Sequence, residues 1–289
     1  MPNFIMLVGL PASGKDTWAR EYIKTHTNTI IHSSDDIREE LYGDASCQDN
    51  PQKVFEIMHS RTIMIKSLQE GKDVIYNATN LRYKNRRSIL TQVKKQTNAI
   101  CHCKVFVAPV EVCKERNMAR ERKVPEYVYD KMLRSFEVPF ENEGFGSIEI
   151  VKTWDGSGTQ YKDEIVKKVK DFGDQKNPHH TLSLWEHCEK CFKSAINENP
   201  FIVVASAIHD YGKIYTQTFD ANGVAHYYSH EGYSAYLSLC FGYSILVAQL
   251  VNFHMLPYYE GATVLWRARL GENLWSMIET LHKYDELAH

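Results

Sequence analysis

Short apolar runs alternate with amphipathic segments through the first half of the chain. The runs predict strands at FIMLVGL, TIIHS, DVIYNAT, AICHCKVFVA and IEIVKTW. Between them, hydrophobic positions that recur at helical spacing predict helices over 15–25, 51–70, 82–96 and 110–120. Continuous apolar runs separated by helices are typical of strands buried on both faces. This half therefore predicts a parallel sheet covered by helices.

The pattern changes near Trp154. WDGSGTQ is rich in turn residues, and the following YKDEIVKKVKDF predicts a short connecting helix. Beyond NPHH nearly every segment has helical periodicity, over 181–196, 200–210, 229–249 and 272–287. The sequence therefore predicts an α/β domain over 1–155, a linker helix within 156–175 and an all-α domain over 176–289.

Composition adds limits on partners and location. The chain has 289 residues, enough for two domains, and a formal net charge of -2. Lys and Arg nevertheless far outnumber Asp and Glu between Arg82 and Arg134, which indicates a basic face. No apolar stretch is long enough for a membrane span, and seven cysteines without a secretion signal indicate reduced thiols. These features predict a cytoplasmic protein that does not bind a membrane.

The first motif with clear chemistry is GLPASGKDT, from Gly9 to Thr17. It follows the pattern G-x-x-x-x-G-K-[ST] between a predicted strand and helix, where backbone N–H groups converge on phosphates. Lys15 then reaches the β- and γ-phosphates of ATP, and a hydroxyl holds Mg²⁺. The predicted ATP-binding residues of this loop are Gly9, Ala12, Ser13, Gly14, Lys15, Asp16 and Thr17.

Asp16 departs from this pattern, because it stands where a hydroxyl is expected. Its carboxylate can face magnesium directly or through water, since Mg²⁺ prefers oxygen ligands. Alternatively, Thr17 supplies the hydroxyl one position late. We expect Asp16 to weaken or reshape the metal contact without abolishing phosphate transfer.

Two more motifs, SSDDIR and NATNLRYKNRR, follow in order. On spacing alone, Asp35 is favoured as a helix N-cap over a catalytic base. Together with the glycine loop, however, these motifs resemble the phage-type 5'-OH polynucleotide kinase family over roughly residues 4–140. The resemblance implies that Asp35 is the general base for the 5'-hydroxyl and that Arg38 contacts the acceptor phosphate. It also implies that a lid arginine in KERNMARERKVPE clamps the ATP phosphates; Arg120 fits best, with Arg116 beside it.

The second half carries histidines and aspartates in metal-ligand order. SLWEHC, HDYGK, SHEGYSA and HKYDELAH resemble the HD phosphohydrolase superfamily over roughly residues 176–289. The resemblance implies a catalytic Lys213 that grips the substrate phosphate and one or two divalent metals, for which Mn, Ni, Co, Fe and Mg are all suitable. The implied metal ligands are His187, His209, Asp210, His230, His254 and Asp285.

A kinase and a phosphohydrolase on one chain predict a bifunctional enzyme that heals nucleic-acid ends. An ATP-dependent activity phosphorylates a 5'-OH, and a metal-dependent activity removes a 3'-phosphate or a 2',3'-cyclic phosphate. The predicted substrates are RNA or DNA ends, the predicted process is RNA repair in a bacterial or phage-infected cell, and the predicted partner is a downstream ligase. Two alternatives stay open: a small-molecule or nucleoside kinase fused to an HD nucleotide phosphohydrolase, and a non-catalytic nucleotide-sensing binder.

Overall fold

The computed structural model describes residues 1–33, 37–38, 41–43, 62–121, 123–178 and 180–288. Its contacts divide the chain into two compact units. The first unit comprises Met1–Tyr129 and Glu143–Trp154, and the second comprises Asp130–Asn142 and Asp155–His289.

A five-stranded parallel sheet forms the centre of the first unit. Its strands are β1 (Asn3–Val8), β2 (Thr29–Ser33), β3 (Asp73–Asn77), β4 (Ile100–Val107) and β5 (Ser147–Lys152), in the spatial order β2-β3-β1-β4-β5. The central strand β1 pairs with β3 and β4, and all its side chains from Phe4 to Val8 are buried. Burial on both faces explains the unbroken apolar run, and the predicted parallel α/β sheet is confirmed.

The helices described in the first unit lie at predicted places, but residues 51–61 of the helix predicted over 51–70 lie outside the described residues. They are α1 (Lys15–Thr25), α2 (Thr62–Gln69), α3 (Tyr83–Gln96) and α4 (Val110–Met118). Helix α1 packs its aromatic side chains Trp18 and Tyr22 against buried residues of the sheet, including Leu7. The sequence pattern does not predict helix α5 (Glu126–Arg134), which begins directly after Pro125 and whose residues from Asp130 onward belong to the second unit.

Helices dominate the second unit. They are α6 (Gly158–Phe172), α7 (Leu184–Ser194), α8 (Pro200–Ile208), α9 (Lys213–Thr216), α10 (His230–Cys240), α11 (Ile245–Phe253), α12 (Glu260–Leu270) and α13 (Glu272–Glu286). The apolar α8 packs against α7, α11 and α13 and forms the centre of the unit. The described part of the unit also contains one short antiparallel pair, β6 (Thr218–Phe219) and β7 (Ala225–His226).

The predicted domain boundaries are 1–155, 156–175 and 176–289. The units in the structure differ from these boundaries at two segments. The segment Asp130–Asn142 belongs to the second unit. There the Asn252 side chain accepts a hydrogen bond from Val138 N at 2.8 Å and donates one to Phe136 O at 3.0 Å. The predicted linker helix, α6, buries Tyr161 and Ile165 and packs against α7, so it is part of the second core.

A long helix predicted over 229–249 is two helices in the structure. Gly242 follows α10 with a φ of 90°, a left-handed backbone that ends the helix. Ser244 then caps α11, because its side chain accepts a hydrogen bond from Val247 N. No helix within the described residues is both long and apolar enough to cross a membrane.

Candidate functional sites

The phosphate-binding loop from Gly9 to Thr17, called the P-loop below, joins the carboxyl end of β1 to the start of α1. Two left-handed residues shape its turn, Ala12 with a φ of 57° and Gly14 with a φ of 93°. A Cβ at Gly14 would lie 3.1 Å from Cγ2 of Thr153, so a larger residue would crowd the loop. Thr153 also donates a hydrogen bond to the Ser13 carbonyl at 2.8 Å. The loop is thus held beside a helix N-terminus, the arrangement that binds phosphate.

Lys15 lies inside this loop. Its Nζ donates to the carbonyl oxygens of Gly9 at 3.0 Å and Leu10 at 2.7 Å, and the side chain is buried. Thr17 is exposed on α1. The predicted ATP-binding residues therefore form one continuous turn, with the lysine amine at its centre.

Asp16 connects the loop to two distant side chains. Its Oδ1 accepts a hydrogen bond from Asn77 Nδ2 at 2.7 Å, and its Oδ2 lies 3.3 Å from a guanidinium nitrogen of Arg120. Arg116 instead donates to the Thr153 carbonyl at 2.5 Å. Both arginines predicted to contact ATP therefore lie against the P-loop region.

The acceptor side of the predicted kinase site is only partly described. Arg38 is buried, with a relative exposure of 5%. Asp35, the predicted general base, lies outside the described residues. Asn77, the first residue of NATNLRYKNRR, is not among the predicted site residues, and it lies at the carboxyl end of β3, the strand beside β1.

Histidine and aspartate side chains converge in the second unit. The first group is His187, His209, Asp210 and Asp285, and the second is Asp210, His230 and His254. In each group the potential ligand atoms all lie within 4.8 Å of one another, and every member is buried. These residues come from α7, the turn after α8, the start of α10, the end of α11 and the last turn of α13. All the predicted metal ligands therefore meet in one place.

Asp210 joins the two groups. Its Oδ2 lies 3.3 Å from His187 Nε2, while its Oδ1 lies 2.9 Å from His230 Nε2. Within the first group, Asp285 Oδ1 lies 3.1 Å from His187 Nε2. Within the second group, the Nε2 atoms of His230 and His254 are 3.2 Å apart. One carboxylate thus offers an oxygen to each group.

The hydrogen bonds of the histidines suit metal binding. The Nδ1 atoms of His209, His230 and His254 lie 3.0, 2.8 and 2.7 Å from backbone carbonyl oxygens. An imidazole that donates through Nδ1 presents the lone pair of Nε2 as a ligand. Ligands bonded to one cation at about 2.1 Å lie about 3.0–3.4 Å apart. The observed separations match that spacing, so these residues fit one or two divalent metals.

The carboxylates of this site are held in the charged form. Burial alone would raise the pKa of Asp210, but the nearby Lys213, His209 and His230 hold that pKa well below its usual range. Burial alone would also lower the pKa of His187, but hydrogen bonds with Asp210 and Asp285 raise it to about 9. These shifts reflect strong pairing between the acidic and imidazole groups that face the centre.

A cavity of about 590 Å³ opens above these histidines and aspartates. Lys213 lines it, with Nζ 2.6 Å from Asp210 Oδ2 and 2.9 Å from Gln175 Oε1. His180 Nε2 lies 3.3 Å from the same amine. The cavity is also lined by Glu231 of SHEGYSA and by residues outside the quoted motifs, namely Asn177, His226, Tyr227, Tyr228, Tyr258 and Tyr259.

Comparison with known proteins agrees with the fold of the first unit. Residues 4–139 match the family model described as AAA domain. The matched residues include the loop from Gly9 to Thr17 and strands β1 to β4. The match covers just under half of the chain and does not include the metal-ligand residues of the second unit.

Individual relatives are distant. The L-seryl-tRNA(Sec) kinase of Methanococcus maripaludis is 27% identical over 178 residues, which cover 60% of this chain and 67% of that protein. A chain in the structure of the Pnkp1/Rnl/Hen1 RNA repair complex is 26% identical, with a TM-score of 0.40, over 45% of this chain and 42% of that one. A fungal RNA kinase structure is 9% identical, with a TM-score of 0.41, over 84% of this chain and 51% of that one. This chain thus spans less than half of the RNA repair protein it matches.

Proposed function

We propose that the chain heals nucleic-acid ends, with a 5'-OH polynucleotide kinase in the first unit and a metal-dependent phosphoesterase in the second. The observation that carries the proposal is the pair of metal-ligand groups joined by Asp210, on the same chain as a P-loop kinase domain. Phosphate gained at a 5' end and lost at a 3' end leaves the two termini that a ligase requires. A nucleic-acid ligase is therefore the proposed downstream partner.

In the kinase half, ATP would bind with its phosphates in the loop from Gly9 to Thr17. Lys15 would turn from the loop carbonyls toward the β- and γ-phosphates, and Arg120 would neutralise charge on the transferred group. Asp16 or Thr17 would hold Mg²⁺, which would supply positive charge beside the ATP phosphates. Asp35 would accept the proton of the attacking 5'-hydroxyl, and Arg38 would hold the acceptor phosphate. These last two roles rest on the resemblance to the polynucleotide kinase family.

In the phosphoesterase half, His187, His209, Asp210 and Asp285 would hold one divalent metal, and Asp210, His230 and His254 a second. Such metals activate water and stabilise the leaving oxygen in phosphoester hydrolysis. Lys213 faces the cavity beside Asp210 and would bind a phosphate oxygen of the substrate. The Tyr258 hydroxyl donates to Asp285 Oδ2 at 3.0 Å, which fixes the orientation of this carboxylate.

A second candidate acceptor comes from the similarity to L-seryl-tRNA(Sec) kinase. That relative's name points to a hydroxyl carried on tRNA rather than a 5'-terminal one. A kinase of small molecules or nucleosides, joined to a nucleotide phosphohydrolase, is the remaining alternative. A 5'-OH oligonucleotide, seryl-tRNA and free nucleosides offered as competing acceptors separate these possibilities, and the proposal requires the oligonucleotide to be used best.

The assignment of one activity to each unit can be tested with two variants. Each variant is the control for the other. Lys15→Met should abolish phosphate transfer from ATP to a 5'-OH oligonucleotide and leave phosphate release from a 3'-phosphorylated oligonucleotide unchanged. His209→Ala should have the opposite effect. If both variants lost the same activity, or either lost both while folded, the division of labour between the units would be wrong.

A further inference from the structure

The cavity above the metal ligands has a charged floor and an aromatic rim. Asp210, Asp285 and Lys213 form part of the floor, and all three are buried. Tyr228 and Tyr259 line the same cavity, yet their relative exposures are 69% and 56%. Large exposed aromatic side chains beside a polar site are typical of a surface that binds a ligand.

Tyr228 is held in place rather than loosely exposed. Its carbonyl accepts a hydrogen bond from Arg134 at 2.9 Å, and the next residue, Ser229, adopts a left-handed φ of 64°. The Tyr228 ring stacks on His226 with centroids 5.3 Å apart and planes 5° apart, and its hydroxyl lies 3.3 Å from His226 Nδ1. One face of the ring is therefore supported, which lowers the entropy cost of stacking a ligand on the other face.

Besides the metal-ligand groups, the described residues that line the cavity include one cation, Lys213, and one carboxylate, Glu231. Lys213 at the floor attracts phosphate. Glu231 also lines the cavity, and its Oε2 lies 3.7 Å from His230 Nδ1. A carboxylate repels phosphate but accepts hydrogen bonds from the N–H groups of a base. A ligand with a phosphate at one end and an uncharged planar group at the other matches this layout.

We propose that Tyr228 is a stacking platform for the base of the nucleotide whose terminal phosphate enters the metal site. This inference rests on the proposed phosphoesterase function and specifies its substrate class as a nucleotide at a polynucleotide end, recognised through its base. Stacking on an aromatic ring accepts any base, so the platform favours nucleic-acid ends over other phosphoesters without selecting sequence.

The test uses the full chain and oligonucleotides that end in a 3'-phosphate. One oligonucleotide carries the fluorescent base 2-aminopurine at its 3'-terminal nucleotide, and a matched one is abasic there. Wild-type protein should quench the fluorescence on binding and release phosphate from the 2-aminopurine substrate with a KM roughly 10- to 100-fold below that of the abasic substrate.

Variants then locate the effect. Tyr228→Ala should remove the quenching and raise KM for the 2-aminopurine substrate roughly 10- to 100-fold, with little change for the abasic substrate. Tyr228→Phe keeps the ring and should retain wild-type quenching and KM. Phe201→Ala, which removes an exposed ring on α8 outside the cavity, should behave like wild type.

Each outcome has one meaning. If wild type treats the abasic and 2-aminopurine substrates alike, or Tyr228→Ala binds as wild type does, the stacking platform is refuted even when phosphate is released. If Tyr228-dependent quenching occurs but no metal-loaded protein releases phosphate, the phosphoesterase proposal fails while the base site stands. Loss of quenching in both Tyr228→Ala and Tyr228→Phe would assign the effect to the hydroxyl and overturn the stacking interpretation.

Discussion

Asp16 gives this P-loop a carboxylate where the usual pattern has a hydroxyl. The carboxylate pairs with Arg120 and accepts a hydrogen bond from Asn77, so its charge is partly neutralised before any nucleotide binds. Facing ATP, the same carboxylate adds negative charge near the phosphates while remaining an oxygen ligand that Mg²⁺ can use. Asp16 therefore connects the P-loop to Arg120 and Asn77.

Replacing Asp16 with Ser should change the magnesium requirement of the kinase without abolishing transfer. We expect a several-fold lower Mg²⁺ concentration at half-maximal rate, because a hydroxyl restores the usual contact and removes a charge near the phosphates. Asp16→Asn is the matched control, since it removes the charge but retains an oxygen for Asn77. Kinase rates titrated with Mg²⁺ give the answer, and an unchanged profile for Asp16→Ser would contradict this role.

The two metal-ligand groups predict a graded loss of metal. Wild-type protein dialysed against Mn²⁺ should hold about two ions per chain, and Asp210→Ala should hold almost none, because Asp210 serves both groups. His187→Ala and His254→Ala each remove a ligand of one group and should each retain about one ion. Metal content measured by mass spectrometry checks this, with His102→Ala in the first unit as control. Full retention in Asp210→Ala would rule out the shared carboxylate.

At the scale of elements, a buried ion pair fixes helix α3 in the first unit. Arg86 forms two hydrogen bonds with Glu143, at 2.8 and 2.7 Å, and also donates to the carbonyl oxygens of Asn80 and Leu81. Both charged side chains are fully buried. Arg86 thereby holds the chain that leaves β3, near Asn77 and the P-loop.

Removing one partner of this pair should be worse than replacing both. Arg86→Ala should destabilise the first unit by roughly 3–5 kcal/mol, because the Glu143 carboxylate is left buried without its cation. The double variant Arg86→Met with Glu143→Leu should lose less, since no unpaired charge remains. Urea unfolding followed by tryptophan fluorescence measures the difference. Equal or greater loss in the double variant would show that the carbonyl contacts, rather than the charge pair, dominate.

The spacing of hydrophobic residues along the sequence is sufficient to predict most helices and strands of the fold. All five strands of the sheet, and α1, α3 and α4, lie where the apolar runs and helical spacing predict them. Helix α5 is missing from the prediction, although it is as long as the predicted helix α4. The break after α10 depends on the backbone of Gly242, which helical periodicity on both sides conceals.

The sequence also predicts only part of the candidate sites. Motif spacing identifies Lys15, Asp210 and the histidines because each lies in a short sequence segment with a recognisable pattern. Asn77 begins NATNLRYKNRR, but that motif does not assign it a partner, and Tyr228 lies just before SHEGYSA. Asn77 meets Asp16 across 61 residues of sequence, and Tyr228 becomes a candidate only through its place on the rim of the cavity. Such pairings depend on tertiary packing, which one sequence without its fold does not reveal.

At the scale of the whole molecule, the excess of basic residues between Arg82 and Arg134 predicts salt-sensitive binding of the polynucleotide acceptor. Contacts between lysine or arginine and phosphates release bound cations, so affinity falls steeply with salt. Raising NaCl from about 50 to about 200 mM should weaken binding of a 5'-OH oligonucleotide at least roughly tenfold. A nucleoside 3'-monophosphate acceptor, with one phosphate, should lose much less. Fluorescence anisotropy measures the affinity for the oligonucleotide, and competition measures the affinity for the monophosphate. An equal loss of affinity for the two ligands would argue against an extended basic acceptor surface.

The most direct test of end healing uses one RNA oligonucleotide with a 5'-OH and a 2',3'-cyclic phosphate. The full chain is incubated with this RNA, ATP, Mg²⁺ and Mn²⁺, and the mass of the product is measured. The account predicts a phosphate gained at the 5' end and the phosphate lost from the 3' end of the same molecule. An RNA unchanged at both ends, with folded and metal-loaded protein, would contradict it and favour small-molecule substrates for both units.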